Sequence, residues 1–183
     1  MKKFKFGKGV DKKIKSLIEK LPKKGKVLDL GTGLGGNSIF LAEQGFKVTC
    51  LDKDKEVIDF IKKEHPKINA FNKDILEFDF HENEYDLIIA RAILHFFSLE
   101  NVNVIMSRII TSLKKNGLFY FTVTSVGDPS YNKRKDRHFF SKEELEKIFS
   151  KNMILEIEEK ILKDDHPPIG KHRHEVIEGL VRK

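Results

Sequence analysis

Apolar residues recur along the chain at two alternating spacings, one typical of helices and the other of buried strands. Val10, Ile14, Leu17 and Leu21 follow one another at helical spacing, and a short apolar run over residues 27–30 comes after them. This arrangement predicts a helix that leads into a first strand. The same alternation then continues along the chain, and it predicts four further strands, over residues 47–51, 68–71, 85–90 and 118–124.

Capping residues mark where several of the predicted helices begin and end. Asp54 and Ser98 each precede apolar residues at helical spacing, and both residue types are suited to cap a first helical turn. We expect the helix that begins after Ser98 to end at Gly117. Residues 141–144 form a capping box, which predicts a helix that ends near Phe149.

The pattern changes after the fifth predicted strand. Residues 126–138 are rich in Gly, Asp, Pro, Lys and Arg, which predicts a loop. Two late strand-like runs, over residues 153–162 and 174–181, bring the number of strands to seven. Strands that alternate with helices predict an α/β fold: a Rossmann-like, seven-stranded, mostly parallel sheet with helices on both faces and an antiparallel edge strand.

The composition limits the classes of protein that this chain can represent. A length of 183 residues predicts one domain over residues 1–183. The single cysteine, Cys50, excludes disulfides and multi-cysteine zinc sites within one chain and suggests a reducing cytoplasm. No apolar stretch approaches the roughly 20 residues that cross a bilayer, and no signal-peptide core follows the basic N-terminus. We expect a soluble, cytoplasmic protein with no membrane partner.

The formal net charge of +7 leaves two interpretations open. Lysines are concentrated in the first fifteen residues, which permits a nucleic acid or another anionic partner. The alternative is a solvated, lysine-rich surface, and we favour it because 28 acidic residues are interspersed among the 35 basic ones. The lysines in question are Lys2, Lys3, Lys5, Lys8, Lys12, Lys13 and Lys15.

A glycine-rich loop follows the first predicted strand. Gly31, Gly33 and Gly36 satisfy the dinucleotide-binding pattern G-x-G-x-x-G, so the glycines alone do not choose the cofactor. Asp29 lies two residues before Gly31, where its carboxylate attracts cations. S-adenosylmethionine (SAM) brings an ammonium and a sulfonium to this region, whereas NAD brings a pyrophosphate that a carboxylate repels. The position of Asp29 therefore favours SAM.

Two more carboxylates lie at the ends of the next predicted strands. Asp52 comes 19 residues after Gly33, close to the offset of the acid that binds a ribose diol. Asp74, which is followed by Ile75, is placed to accept from an adenine amino group while a backbone amide donates to the ring. Together these residues indicate an adenosine site.

With these residues the chain resembles the class I, SAM-dependent methyltransferases. Asp29, Gly31, Gly33 and Gly35 match the first motif of that family, Asp52 its ribose-binding acid, and Asp74-Ile75 its adenine-binding position. Within the class, residues 27–54 and the ending over residues 179–183 are similar to the small tellurite-resistance type, in which Cys is more common at the position of Thr32. The resemblance implies SAM as the cofactor, bound by Asp29, Gly31, Thr32, Gly33, Gly35, Asn37, Asp52, Lys53, Asp74, Ile75 and Arg91.

Methyl transfer is an in-line displacement at a carbon that the sulfonium already activates. The protein mainly aligns the nucleophile and excludes water, and a base is needed only if the nucleophile arrives protonated. The acceptor should meet the cofactor beyond strand four, at Arg91, Ala92, His95 and Phe96. His95 and Arg91 are the catalytic candidates. The structural alternative for His95 is a half-buried histidine at the start of a helix, and that for Arg91 is a pair with a carboxylate at the sheet edge.

Basic residues also gather in two late loops, over residues 131–138 and 171–174. Either loop could receive an anion, and either could be an exposed surface in a lysine-rich chain. His166, His172 and His174 have no carboxylate or cysteine at a convincing ligand spacing, so we expect no metal.

The sequence favours a methyltransferase that acts on a small molecule. The alternatives are methylation of RNA or protein through the basic loops, a non-catalytic SAM-binding partner subunit, and an NAD-dependent oxidoreductase. Neither the acceptor nor the oligomeric state follows from the sequence.

Overall fold

The computed structural model describes residues 9–149, 153–166 and 170–183, without the side chains of 164–166. The N-terminal lysines at residues 2, 3, 5 and 8 lie outside the described residues. The helices are α1 (Lys12–Leu17), α2 (Gly36–Glu43), α3 (Lys55–Glu64), α4 (Leu99–Ser112) and α5 (Lys142–Ile148). The strands are β1 (Lys26–Leu30), β2 (Lys47–Asp52), β3 (Asn69–Asn72), β4 (Tyr85–Arg91), β5 (Leu113–Thr124), β6 (Ile154–His166) and β7 (Gly170–Arg182).

The strands form one seven-stranded sheet in the order β3-β2-β1-β4-β5-β7-β6. Strands β1 to β5 pair in parallel, and β7 pairs antiparallel with both β5 and β6. The predicted Rossmann-like sheet with an antiparallel edge is therefore confirmed. Strand β7 runs antiparallel to the five parallel strands, and β6 pairs with β7 at the edge of the sheet. The order reverses between β1 and β4, and this switch point is where open α/β sheets bind ligands.

Helices cover both faces of the sheet, as the sequence predicts. On one face Ile14 of α1, Leu41 of α2 and Ile58 of α3 join a buried cluster. On the other face Ile105 of α4 and Leu145 of α5 belong to a second cluster. The two layers hold the sheet between them and fix the positions of the loops at the carboxyl ends of its strands.

The three predicted helix caps are present. The carboxylate of Asp54 accepts from the amides of residues 56 and 57, the hydroxyl of Ser98 accepts from Asn101 N at 3.3 Å, and that of Ser141 accepts from Glu144 N at 3.1 Å. Each side chain satisfies an amide that has no partner within the helix. The cap at Asp54 starts α3 immediately after the carboxyl end of β2.

The boundary between α4 and β5 was predicted wrongly. The helix ends at Ser112, and β5 begins at Leu113, well before the expected boundary at Gly117. Leu113 pairs with Tyr85 of β4, and Lys183 Nζ donates to the carbonyls of Thr111 and Leu113 at 3.0 and 2.7 Å. Leu113 fits the helical spacing equally well, but these contacts with distant parts of the chain end the helix earlier.

The last two strands are longer than predicted, because β6 continues to His166 and β7 begins at Gly170. The added residues are mostly polar and pair with one another, as Lys163 does with Arg173. Backbone pairing needs no apolar alternation, so the hydrophobic pattern gave no sign of this extension. No helix in the described ranges is long and apolar enough to cross a membrane.

Candidate functional site

A cleft runs along the carboxyl ends of β1 to β4 and consists of two adjoining hollows. The larger has a volume of about 420 Å³ and the smaller about 340 Å³. Gly31 and Asp52 line both, so the hollows meet at the glycine loop. The larger is also lined by Lys53, Lys73, Asp74, Ile75, Leu76, Ile93, Phe96, Phe97, Ser98 and Asn101. The smaller is also lined by Asp29, Thr32, Gly33, Leu34, Gly36, Asn37, Asp54, Val57 and Arg91.

The glycine loop turns sharply between β1 and α2. The amides of Gly31 and Thr32 both donate to the carbonyl of Leu51, at 2.9 and 3.0 Å, which ties the loop to β2. Gly31 has a φ of +67°, and a Cβ there would lie 2.7 Å from Cγ1 of Ile93. Only glycine fits this position without moving the residues after β4. Gly35 precedes α2 as its N-cap and is absent from the lining of both hollows, so its predicted contact with the cofactor stays a prediction.

Asp29 is a buried carboxylate beneath the loop, only 3% exposed. Its Oδ2 accepts from the hydroxyl of Ser38 at 2.6 Å and from that of Thr32 at 2.9 Å. Burial raises the pKa of Asp29 above its usual range, against the lowering effect of the two hydroxyl donors and of Arg91. A cation brought to this end of the cleft would favour the ionised form of Asp29.

Asp52 lies at the centre of the cleft, at the carboxyl end of β2. Its Oδ2 accepts from Gly33 N at 2.8 Å and its Oδ1 from Asp54 N at 3.0 Å. The carboxylate therefore joins the glycine loop to the start of α3 while it lines both hollows. Each oxygen can accept a further hydrogen bond, so a diol could bind here.

The predicted adenine-binding residues line the larger hollow. Lys53 Nζ lies 2.6 Å from Asp74 Oδ2, and Asp74 Oδ1 accepts from Leu76 N at 2.9 Å. Burial alone would raise the pKa of Asp74, but the donors Lys53 and Leu76 N outweigh it and lower the pKa. Ile75 is buried and Phe97 lies beneath the Lys53 ammonium, whose nitrogen is 5.8 Å from the ring centroid. The hollow thus offers one apolar surface and one charged edge.

Asp11, which sequence reasoning missed, meets two predicted cofactor-binding residues. Its Oδ2 lies 2.9 Å from Nε of Arg91, within ion-pair distance, although the N–H is not aligned for a hydrogen bond. Its amide donates to Oδ1 of Asn37 at 3.0 Å. Asp11 also caps α1 through Lys13 N, and this local cap was its only signal in the sequence. The segment before α1 is therefore attached to the smaller hollow.

His95 follows β4 in a 3₁₀ turn and is only 6% exposed. Its Nδ1 is buried without a hydrogen-bond partner in the described part of the chain. Burial, followed by the nearby Arg137, lowers the pKa of His95 to about 4, so the imidazole is neutral at pH 7. His95 lines neither hollow, but its ring lies 4.4 Å from that of Phe96, which does.

Several lining residues came from places that the sequence did not mark as functional. Ile93, Phe97, Ser98 and Asn101 lie between β4 and the first turn of α4, where the pattern indicated only a helix start. No motif identified them, since apolar residues before a helix usually belong to the core.

The late basic residues do not form one site. Tyr131, Lys133 and Lys135 are exposed. His174 Nδ1 lies 3.2 Å from the buried Asp128 Oδ2, and His172 Nε2 lies 3.0 Å from His174 Nε2. Within the described ranges, no three His, Cys, Asp or Glu side chains come together as a group that could hold a metal ion. The side chain of His166, the third histidine weighed for a metal site in the sequence, lies outside those ranges.

Comparison with known proteins gives a consistent result. Residues 27–117 match the sequence profile of the family described as methyltransferase domain. The phosphoethanolamine N-methyltransferase of Plasmodium falciparum is 37% identical over 119 residues, which are 61% of this chain and 43% of that protein. The probable S-adenosyl-L-methionine-dependent methyltransferase TehB of Haemophilus influenzae is 37% identical over 81 residues, 42% of this chain and 28% of that one. The crystal structure of TehB from Haemophilus influenzae has a TM-score of 0.81 at 23% identity, and the match covers 95% of this chain and 62% of that chain.

These matches differ in what they cover. The chain spans less than half the length of the curated relatives that it matches. The profile match runs from β1 into β5 and therefore includes the glycine loop, Asp52, Asp74 and His95. The structural match includes β6 and β7 as well, because it covers nearly the whole chain.

Proposed function

We propose that the chain is a class I, SAM-dependent methyltransferase and that it transfers the methyl group of SAM to a small-molecule acceptor. One observation carries this proposal: the two hollows that meet at Gly31 and Asp52. At their shared wall the carboxylate of Asp52 can accept from a diol. On one side lies the larger hollow, with an apolar surface and a charged edge, and on the other the smaller hollow, with the carboxylate of Asp29 and the guanidinium of Arg91. An extended ligand with a nucleoside at one end and an amino acid at the other has the matching chemistry.

The proposed binding assigns one end of the cofactor to each hollow. Lys53, Asp74 and Ile75 would hold the adenine in the larger hollow, and Asp52 the ribose. To accept from the adenine amino group, Asp74 would share its Oδ2 with the Lys53 ammonium. The resident charges are complementary to such a ligand.

The smaller hollow would take the methionine end. Asp29 offers a buried negative charge to the ammonium, and Arg91 offers a guanidinium to the carboxylate. Asn37 and the loop residues Thr32 and Gly33 complete the wall of this hollow.

SAM supplies a methyl group on a sulfonium, which is a nearly neutral leaving group, so the protein has little covalent chemistry to perform. Its residues orient the acceptor and exclude water. His95, neutral at pH 7 and with an unpartnered Nδ1, is suited to accept a hydrogen bond from a protonated nucleophile. With a pKa of about 4 it is a weak base, so we assign it an orienting role more than proton removal.

The small size of the acceptor is supported by one relative. The similar protein from Plasmodium falciparum is named for phosphoethanolamine, a small polar molecule. The site for the acceptor would lie beside His95 and Phe96, between the end of β4 and the loop over residues 126–138.

Calorimetric titration with S-adenosylhomocysteine tests the cofactor site. We expect Asp52→Asn and Asp29→Asn each to weaken binding by about tenfold to a hundredfold, since each loses a charged hydrogen-bond acceptor or counter-charge. Asp59→Asn is the matched control, because Asp59 pairs with Lys55 on α3 outside the cleft. Wild-type protein that fails to bind S-adenosylhomocysteine, or an Asp52→Asn variant with unchanged affinity, would overturn the assignment.

Radiolabelled SAM tests the transfer itself, with small metabolites, RNA and protein offered as separate fractions of one extract. We expect label in the metabolite fraction, and slower transfer by His95→Asn at unchanged affinity for S-adenosylhomocysteine. Label in RNA or protein instead would support macromolecular methylation. Tight SAM binding with no transfer to any fraction would indicate a non-catalytic subunit.

A further inference from the structure

Arg137 is a partly buried cation at the acceptor side of the cleft. Its side chain is 17% exposed, and its guanidinium carbon lies 4.6 Å from the ring centroid of Phe96, which lines the larger hollow. Its Nε is buried and has no hydrogen-bond partner among the described residues. The guanidinium is therefore held against an aromatic face with at least one donor unused.

The carboxylates near Arg137 are occupied elsewhere. Within the described ranges, the nearest is Asp136 Oδ2 at 4.0 Å, and both oxygens of Asp136 already accept from Arg134, at 2.8 Å each. Asp128 is the next acidic neighbour, but its Oδ1 accepts from the amide and hydroxyl of Ser130. Its Oδ2 accepts from Glu175 N and faces the ring of His174. Neither carboxylate neutralises Arg137 at contact distance.

A mostly buried guanidinium without a counter-charge at contact distance costs stability, unless a ligand supplies the missing charge and hydrogen-bond acceptors. Burial is the first cause that lowers the pKa of Arg137, followed by repulsion from Arg134. His95, the neighbour on the other side, likewise has an unpartnered buried nitrogen. The two residues are linked through the backbone, since His138 N donates to the carbonyl of His95 at 2.9 Å. Two buried nitrogens without partners in the described residues thus belong to side chains that both lie against Phe96, at 4.4 Å between ring centroids for His95 and 4.6 Å from the ring centroid for the guanidinium of Arg137.

We propose that Arg137 is an anion-binding residue of the acceptor site and that the methyl acceptor carries a carboxylate or phosphate group. The planar fork of a guanidinium binds two oxygens of such a group at once, and stacking on Phe96 fixes its orientation. This inference rests on the proposed methyl transfer, and it adds the charge of the acceptor. Arg134 does not compete for the ligand, because Asp136 already neutralises it.

The direct test observes Arg137 in the wild-type protein saturated with S-adenosylhomocysteine. Inorganic phosphate and sodium acetate are titrated separately at constant ionic strength while the arginine Nε–H resonances are followed by NMR. We expect the Arg137 resonance to shift saturably with one or both anions and that of Arg134 to stay in place. The anion that binds more tightly identifies the group as phosphate or carboxylate. An Arg137 resonance that responds to neither anion would overturn the inference.

A variant pair supplies the second measurement. Arg137→Gln should weaken the binding of the better anion by about tenfold or more. Lys133→Gln, which removes an exposed positive charge of the same loop and leaves the Arg134–Asp136 pair intact, should leave it unchanged. Affinity for S-adenosylhomocysteine, measured on the same samples, should be equal in all three proteins. Equal anion binding by both variants and the wild type contradicts the inference. Loss of S-adenosylhomocysteine binding in the wild type would instead contradict the proposed function, so the two failures are distinguishable.

Discussion

At the scale of single residues, burial determines the behaviour of the ionisable groups around the cleft. Asp29 and His95 are both less than a tenth exposed, and burial shifts the pKa of each toward its neutral form. For Asp29 the hydroxyls of Thr32 and Ser38 donate to the carboxylate and offset part of the rise in pKa, whereas Nδ1 of His95 has no partner in the described ranges. A buried polar atom without a hydrogen-bond partner costs stability, so its retention at the edge of the cleft points to a functional role.

The pKa of His95 predicts how stability depends on pH. In the unfolded chain the pKa of His95 is near its usual value of 6.5, and in the folded protein burial lowers that pKa to about 4. Between these values the unfolded state holds more protons, so stability falls as the pH falls through this window, by up to about 3 kcal/mol. In His95→Asn this contribution is absent.

Urea unfolding between pH 4.5 and 7.5 measures the difference. We expect the wild type to lose stability relative to His95→Asn on the acid side and to keep a constant offset from it at higher pH. His81→Asn serves as the control, because His81 is exposed. Parallel pH profiles for the wild type and His95→Asn would contradict the assigned burial effect.

At the scale of secondary-structure elements, the contact between β5 and β7 depends on one glycine. Gly179 pairs with Phe121, whose ring is fully buried and stacks on Phe119 and Phe149. A Cβ at position 179 would lie 2.1 Å from Cζ of that ring. The absence of a side chain at Gly179 therefore leaves room for the ring of Phe121, which stacks with Phe119 and Phe149.

Gly179→Ala should lower the free energy of unfolding by about 1–3 kcal/mol, because the ring of Phe121 has to move within a packed core. Denaturant unfolding of Gly179→Ala, Phe121→Leu and the double variant measures the coupling. We expect the two losses to be less than additive, since leucine leaves room for the added methyl group. Strict additivity would show that the two residues do not compete for the same space.

At the scale of the whole molecule, Asp11 connects three segments that are distant in the sequence. It caps α1, forms an ion pair with Arg91 at the end of β4, and donates its amide N–H to Oδ1 of Asn37 at the start of α2. Helix α1 buries Ile14 and Leu17 in the core, and these polar contacts add to that apolar packing. The smaller hollow thus adjoins a helix of six residues that both kinds of contact hold in place.

Asp11→Ala should therefore increase local opening of α1 while the central strands keep their protection. Hydrogen exchange measures this, and we expect the amides of α1 to lose about tenfold in protection, as the loss of one cap and one ion pair implies. Asp11→Asn separates the two contributions, because its oxygen can still cap α1 while the ion pair is lost. Unchanged exchange in α1 of Asp11→Ala would show that apolar packing alone holds the helix.

The sequence predicted some of the residues in and around the cleft and missed others. Asp29, Asp52 and Asp74 were reached because each follows an apolar strand, and the carboxyl ends of parallel strands meet at one edge of the sheet. Asp11 and Phe97 were missed, because their neighbours in the sequence explain them fully as a helix cap and a core residue. Only contacts across long sequence separations bring them to the cleft, those of Asp11 with Arg91 and Asn37 and that of Phe97 with Lys53.

The sequence by itself determined the α/β alternation, the helix caps and the carboxylates at the strand ends, because these depend on local spacing and on a fixed strand direction. The tertiary structure decided where α4 ends, how far β6 and β7 extend, and which charges remain without a counter-charge. Arg137 illustrates the reason. Its charge can be read from the sequence, but whether a carboxylate neutralises it depends on Asp128 and Asp136 being occupied by other donors.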